Sequence, residues 1–135
     1  MKNLIVLQHI KIEDPGHIKD LMIKDNVNLT TIQLDEGDRI PEDLSIYDAM
    51  FCMGGPMDTW METDYPWLIE EKKRINEFVV ELKKPYLGFC LGCQLLGEVA
   101  GGIVTKSNNP EIGMLDIYFS DNKKSDLLFS QFPDQ

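Results

Sequence analysis

The sequence predicts an α/β fold built on a doubly wound, mostly parallel sheet with helices on both faces. Short apolar runs of strand length alternate with segments of helical period up to residue 102, the order expected of successive strand–helix–strand units. The first run, Leu4 to Leu7, is continuous rather than alternating, as in a central strand covered on both faces. A chain of 135 residues, 43% of them hydrophobic, can enclose the core of one domain.

After this first strand, Asp14-Pro15-Gly16 offers a helix cap and a first-turn proline, and Ile18, Leu21 and Met22 recur at helical spacing up to about Asn26. Asn28 to Leu34 is β-branched and bounded by Gly37, and Ala49 to Met53 is apolar and stops at Gly54-Gly55-Pro56. Both read as strands. Between Pro66 and Lys84 the residues Leu68, Ile75, Phe78, Val79 and Leu82 form one stripe among nine charged residues. That pattern predicts an amphipathic helix, with Thr63 or Asp64 near its cap. Tyr86 to Phe89 is the next strand, and Leu91 to Ala100 a helix ended by Gly101-Gly102. Ile103 to Thr105 and Met114 to Phe119 read as short strands of a meander.

The 23 acidic and 13 basic residues leave a formal charge of −10, with no segregated Lys/Arg cluster. This argues against nucleic acid or an anionic membrane as partner and favours a small ligand. Three cysteines without the density of a disulfide scaffold suit a reducing compartment, and no apolar run approaches a signal peptide or a membrane span. The expected location is cytoplasmic.

The segment Leu87-Gly88-Phe89-Cys90-Leu91-Gly92-Cys93-Gln94 puts a thiol at the junction of strand and helix. A nucleophile elbow needs a small residue two before and two after the nucleophile, because the tight turn brings those backbones together; Gly88 and Gly92 meet that demand. At a helix start the unpaired N–H groups and the dipole favour a thiolate, and the Leu91 N–H can face an oxyanion. Two other readings stay open: Cys90 as a small buried residue, and Cys90 with Cys93 as a Cys-x-x-Cys redox pair. A metal site has little support, since Cys52, His9 and His17 supply no second ligand pair at zinc spacing.

The block Cys90-Leu91-Gly92-x-Gln94-Leu95-Leu96 resembles the nucleophile motif of class I, triad-type glutamine amidotransferases. Met53-Gly54-Gly55-Pro56-Met57 is similar to that family's oxyanion strand. Asp64-Tyr65-Pro66-Trp67-Leu68 and Pro110-Glu111-Ile112-Gly113 resemble blocks of its stand-alone, GMP-synthase-like branch. The resemblance implies a flavodoxin-like fold and a cysteine hydrolase, with Cys90 attacking the side-chain amide of glutamine or another γ-glutamyl compound. It implies oxyanion donors at Gly55 and Leu91 and substrate contacts from Gly54 and Gln94. Glu111, on which no chemistry is forced, is expected to pack against or cap the following strand, and no cofactor or metal is expected. An ammonia-accepting synthetase is a further implied partner.

The family's base is a histidine with an acidic residue two positions later, and Ser125 to Pro133 resembles the segment shortly before it. Residues 1–135 are therefore expected to be about the N-terminal two-thirds of one such domain, with the sheet C-terminally truncated and an exposed edge open to self-association. On this expectation the fragment itself does not turn over. His9, at the carboxyl end of the first strand, lies where ligands bind in such folds and is a weak substitute base; His17 is expected on the surface. The alternatives to an enzyme are a non-catalytic glutamine-binding or interaction module and a flavodoxin-like redox protein using Cys90 and Cys93.

Overall fold

A computed structural model describes residues 1–109 and 113–133. The chain divides into two units, residues 1–105 and 106–135. The first is a four-stranded, all-parallel sheet in the order β2-β1-β3-β4, with β1 at Asn3–Gln8, β2 at Asn28–Gln33, β3 at Ala49–Cys52 and β4 at Tyr86–Gly88. The helices are α1 (His17–Lys24), α2 (Trp67–Asn76) and α3 (Leu91–Val99).

The continuous apolar run of β1 has the expected cause. Ile5 and Leu7 point to the face covered by Leu68, Ile75 and Phe78 of the α2 segment and Leu91 and Leu95 of α3. Leu4 and Val6 point to the other face, with Phe51 and Met53, against Ile18 and Met22 of α1. Side-chain alternation along one strand thus fills two cores.

Helix ends follow local chemistry. Asn26 (φ +58°) closes α1, with Val27 N–H donating to Met22 O at 2.9 Å. Gly101 (φ +88°) closes α3, with Gly102 N–H donating to Gly97 O at 2.8 Å. Both are left-handed caps that satisfy terminal carbonyls. At the start of α1, Asp14 Oδ1 accepts the Gly16 N–H at 2.9 Å, so the aspartate closes the turn ahead of the helix and Gly16 occupies the cap position.

Several boundaries differ from the sequence expectation. Neither Thr63 nor Asp64 caps α2; Pro66 takes the cap position, because turns through Met61 and Tyr65 lead directly into the helix and proline already has a helical φ. Leu34 leaves the second strand for a 3₁₀ turn (Leu34–Glu36) that ends at Gly37 with φ +89°. The α2 segment continues as a π-helical turn over Glu77–Glu81, where Leu82 N–H donates to Glu77 O at 2.9 Å.

The meander does not form. Residues 103–105 and 114–119 belong to no strand, and Ile103, Met114, Ile117 and Tyr118 are exposed. β-branched composition alone does not make a strand without a neighbour for its ladder. The second unit, described by itself, has 3₁₀ turns at Asp121–Ser125 and Phe129–Gln131. Phe119, Phe129 and Phe132 cluster there, and Lys123 Nζ lies 4.7 Å from the Phe119 ring centre. Pro110, Glu111 and Ile112 lie outside the described residues.

The two-faced core is directly testable. Ile5→Ala, at a fully buried site, is expected to lower the unfolding free energy by about 2–5 kcal/mol. Ile12→Ala, at a site 87% exposed, should change it by less than about 0.5 kcal/mol. Urea unfolding of the two variants checks this, and equal effects would contradict it.

Candidate active site

Cys90 sits at the cap of α3 with φ +50° and ψ −108°, a conformation that is strained for a residue with a side chain, and it is exposed. Glycines make the turn. A Cβ on Gly88 would lie 2.5 Å from the Cys93 nitrogen and the Gly92 carbonyl carbon, and one on Gly92 would lie 2.2 Å from the Cys52 oxygen. The turn is tied by Phe89 N–H to Cys52 O at 2.9 Å and by Gly92 N–H to Phe89 O at 2.9 Å. Tyr86 Oη donates to Gly92 O at 2.7 Å, and burial, reinforced by nearby Cys52, pushes the Tyr86 pKa up, so this donor keeps its proton. This is the elbow that the glycine spacing predicts.

The Gly54-Gly55 turn packs against it from the end of β3. A Cβ on Gly54 would lie 3.4 Å from the Cys90 Cβ, and one on Gly55 would lie 3.3 Å from Leu91 Cδ2 and 3.0 Å from the His9 Cβ. Among the described residues, no backbone acceptor takes the N–H of Gly55 or of Leu91. Gln94 is exposed one helical turn beyond Cys90. The structure thus gathers Cys90, Gly54, Gly55, Leu91 and Gln94 around two adjoining turns. Glu13, which no sequence motif singles out, reaches the same place: its Oε2 is 2.0 Å from where a Gly54 Cβ would be.

His9 does something other than face a ligand. It is fully buried, its ring stacks on Trp67 at 5.4 Å, and both nitrogens are engaged. Nδ1 is 2.9 Å from Gly54 O, and since a carbonyl only accepts, Nδ1 carries the proton. Nε2 is 2.8 Å from Glu71 Oε1, itself fully buried. Burial works to lower the His9 pKa, but the Glu71 hydrogen bond and charge outweigh it and hold the pKa above the ordinary value. The expectation of a substitute base therefore fails, because His9 has no free nitrogen to offer. His17 projects from α1 into solvent beside Asp20, as expected.

Cys52 completes the buried cluster. Burial, reinforced by the Glu71 charge, pushes its thiol well above the usual value, so it stays protonated and donates to Glu71 Oε1 at 3.3 Å. The ligand-type atoms of His9, Cys52 and Glu71 lie within 4.8 Å of one another, and two of them, His9 Nε2 and Glu71 Oε1, are in direct contact. Glu71 does carry a sequence signal. It fills the next slot of the stripe Leu68, Glu71, Ile75, Phe78, where a carboxylate must find a partner inside.

The loop after Gly55 is tied down by polar contacts. Thr59 Oγ1 donates to Glu98 Oε1 at 2.6 Å, and Lys72 Nζ lies 2.8 Å from both Glu98 and Glu62. Partial burial opposes the Lys72 charge, yet the two carboxylates hold its pKa above the usual value. A separate cavity of about 520 Å³ between Leu34, Ile40, Pro41 and Trp67 includes none of the residues at the Cys90 turn. Among the described residues, no helix is long and apolar enough to cross a membrane.

Comparison with known proteins bears on the family and the overall fold. Residues 17–134 match the family model of class I glutamine amidotransferases. The glutamine-hydrolysing GMP synthase subunit of Sulfurisphaera tokodaii is 33% identical over 112 residues, which are 78% of this chain and 54% of that protein. The subunit of the same name from Saccharolobus solfataricus is 36% identical over 90 residues, 67% of this chain and 45% of that one. The crystal structure of a glutamine amidotransferase from Thermotoga maritima superposes with a TM-score of 0.82 at 29% identity, covering 98% of this chain and 56% of the other. The chain spans about half the length of the curated relatives it matches. An elbow cysteine set against a diglycine turn on a parallel sheet, and a family match over most of the sequence, lead to one conclusion: this chain belongs to the class I glutamine amidotransferase family.

Proposed function

We propose that Cys90 is the nucleophile of a glutaminase-type reaction on the side-chain amide of glutamine or a related γ-glutamyl amide. The observation that carries this reading is the exposed Cys90 held at φ +50° at the start of α3, directly against the Gly54-Gly55 turn. The sulfur adds to the amide carbon, and the amide oxygen becomes an oxyanion that the N–H groups of Gly55 and Leu91 stabilise. The C–N bond then breaks, and the thiol's proton leaves with the nitrogen as ammonia. Water adds to the γ-glutamyl thioester, releasing glutamate and restoring the thiol. Gly54 gives the substrate close access to the backbone, and Gln94 holds its polar end.

Proton transfer needs a base, and His9 is committed to Gly54 and Glu71 while His17 is out in solvent. The reading therefore assigns the base to a residue other than these two histidines. Ammonia released here would serve an amidation, and a synthetase that consumes it is the corresponding partner; the relatives from Sulfurisphaera and Saccharolobus are named as subunits of a GMP synthase.

A chloromethyl ketone built on the glutamine skeleton tests the nucleophile. Mass spectrometry of the treated chain should find one adduct, on Cys90, lost in Cys90→Ala and kept in Cys93→Ala. Labelling of Cys93 instead, or a rate no better than for a ketone lacking the amino-acid end, would sink the proposal. Gln94→Ala should weaken apparent ketone binding about tenfold, the equivalent of one hydrogen bond of about 1.4 kcal/mol, while leaving alkylation by iodoacetamide unchanged. A loss of both reactivities would instead mean that Gln94 supports the turn.

A further inference from the structure

We infer that His9 and Glu71 are positioning residues that fix the orientation of the Gly54–Gly55 peptide, and so aim the Gly55 N–H used by the reaction proposed above. The inference rests on that reading for the use of the N–H, and on independent geometry for the device that holds it.

A trans peptide is one rigid plane in which C=O and N–H point in opposite directions. Whatever holds the Gly54 oxygen therefore holds the Gly55 N–H, and every peptide described in this chain is trans. Two successive glycines leave such a plane free to rotate, since neither has a Cβ to bar the flipped arrangement. The Nδ1–H of His9 removes that freedom: it binds Gly54 O at 2.9 Å from the buried side, so the Gly55 N–H points away from the His9 ring.

The histidine is itself fixed on its other sides. Glu71 Oε1 takes Nε2 at 2.8 Å, the Trp67 ring stacks on the imidazole, and the Cys52 thiol donates to the same carboxylate oxygen. Both partners are fully buried, so neither hydrogen bond competes with solvent. Among the described residues, the buried Glu71 Oε2 has no hydrogen-bond partner. A carboxylate left half-satisfied in a helix face that could carry leucine points to a task beyond packing. Holding the histidine with its Nδ1 proton toward Gly54 is such a task, by the logic that aligns imidazoles elsewhere.

Side-chain isosteres separate this role from mere support. The amide nitrogen of asparagine stands where Nδ1 stands in histidine, so His9→Asn keeps the donor to Gly54 O and His9→Ala removes it. Two electrophiles are compared on the same chain: the glutamine chloromethyl ketone, whose carbonyl becomes an oxyanion when the thiol adds, and iodoacetamide, which alkylates without one. His9→Ala should slow the ketone about 10²-fold, the scale of losing one oxyanion donor, with iodoacetamide within about twofold of the parent. His9→Asn should recover most of the ketone rate, and Glu71→Leu should show the same selective loss as His9→Ala.

A parallel fall of both reagents in His9→Ala, or equal ketone rates in the alanine and asparagine variants, overturns the inference. If the parent chain shows no ketone adduct on Cys90, the proposed function fails first, and that failure is visible before any His9 variant is made.

Discussion

The close approach of Gly92 to the Cys52 carbonyl is the contact on which the site depends. A side chain at 92 would put its Cβ 2.2 Å from that oxygen, so only glycine lets the first turn of α3 rest on the end of β3. That contact brings the β4–α3 turn beside the diglycine turn that follows β3. Move the helix outward by the width of a methyl group, and Cys90 would no longer meet Gly54. The same region is laced by hydrogen bonds from Phe89 to Cys52 and from Tyr86 to Gly92, which hold a strained Cys90 backbone in place. Strain of this kind persists only where its surroundings over-determine it.

Parallel pairing explains why these pieces meet at one edge. All four strands run the same way, so their carboxyl ends, and the turns that leave them, gather on one side of the sheet. From β1 comes His9, from β3 the glycines, from β4 the cysteine. Helix α2 contributes from the flank, with Glu71 reaching beneath the diglycine turn and Lys72 joining Glu62 and Glu98 to hold the loop beyond it. A rigid scaffold carrying loops of defined shape is the usual foundation for chemistry of this type.

The buried His9–Glu71 pair shows the limit of hydrophobic patterning. By spacing, position 71 belongs to the apolar stripe of α2, and by residue type it belongs to the solvent face. The conflict resolves inside the protein, where the carboxylate meets an imidazole and a thiol. Replacing such pairs with apolar residues often leaves a fold intact or firmer, so packing alone does not account for the pair. Its contact with the Gly54 carbonyl links it to the turn where the chemistry is proposed.

Much was legible in the residues themselves. Run lengths and periods in the first 102 residues specify three helices and four strands, because strand and helix bury side chains at periods of about 2 and 3.6. The tight turn at Cys90 was also legible, since Gly88 and Gly92 leave their mark as glycines two before and two after it. What the sequence could not decide are matters of partnership. Ile103 to Thr105 and Met114 to Phe119 have strand-like composition but pair with nothing among the described residues, and a strand exists only with a neighbour. His9 looked like a ligand-facing residue until the fold brought Glu71, 62 positions away, to its Nε2. Periodicity reports which way a side chain points; only tertiary structure determines what it meets, because hydrogen bonds and ion pairs depend on distances between atoms that the chain order does not contain.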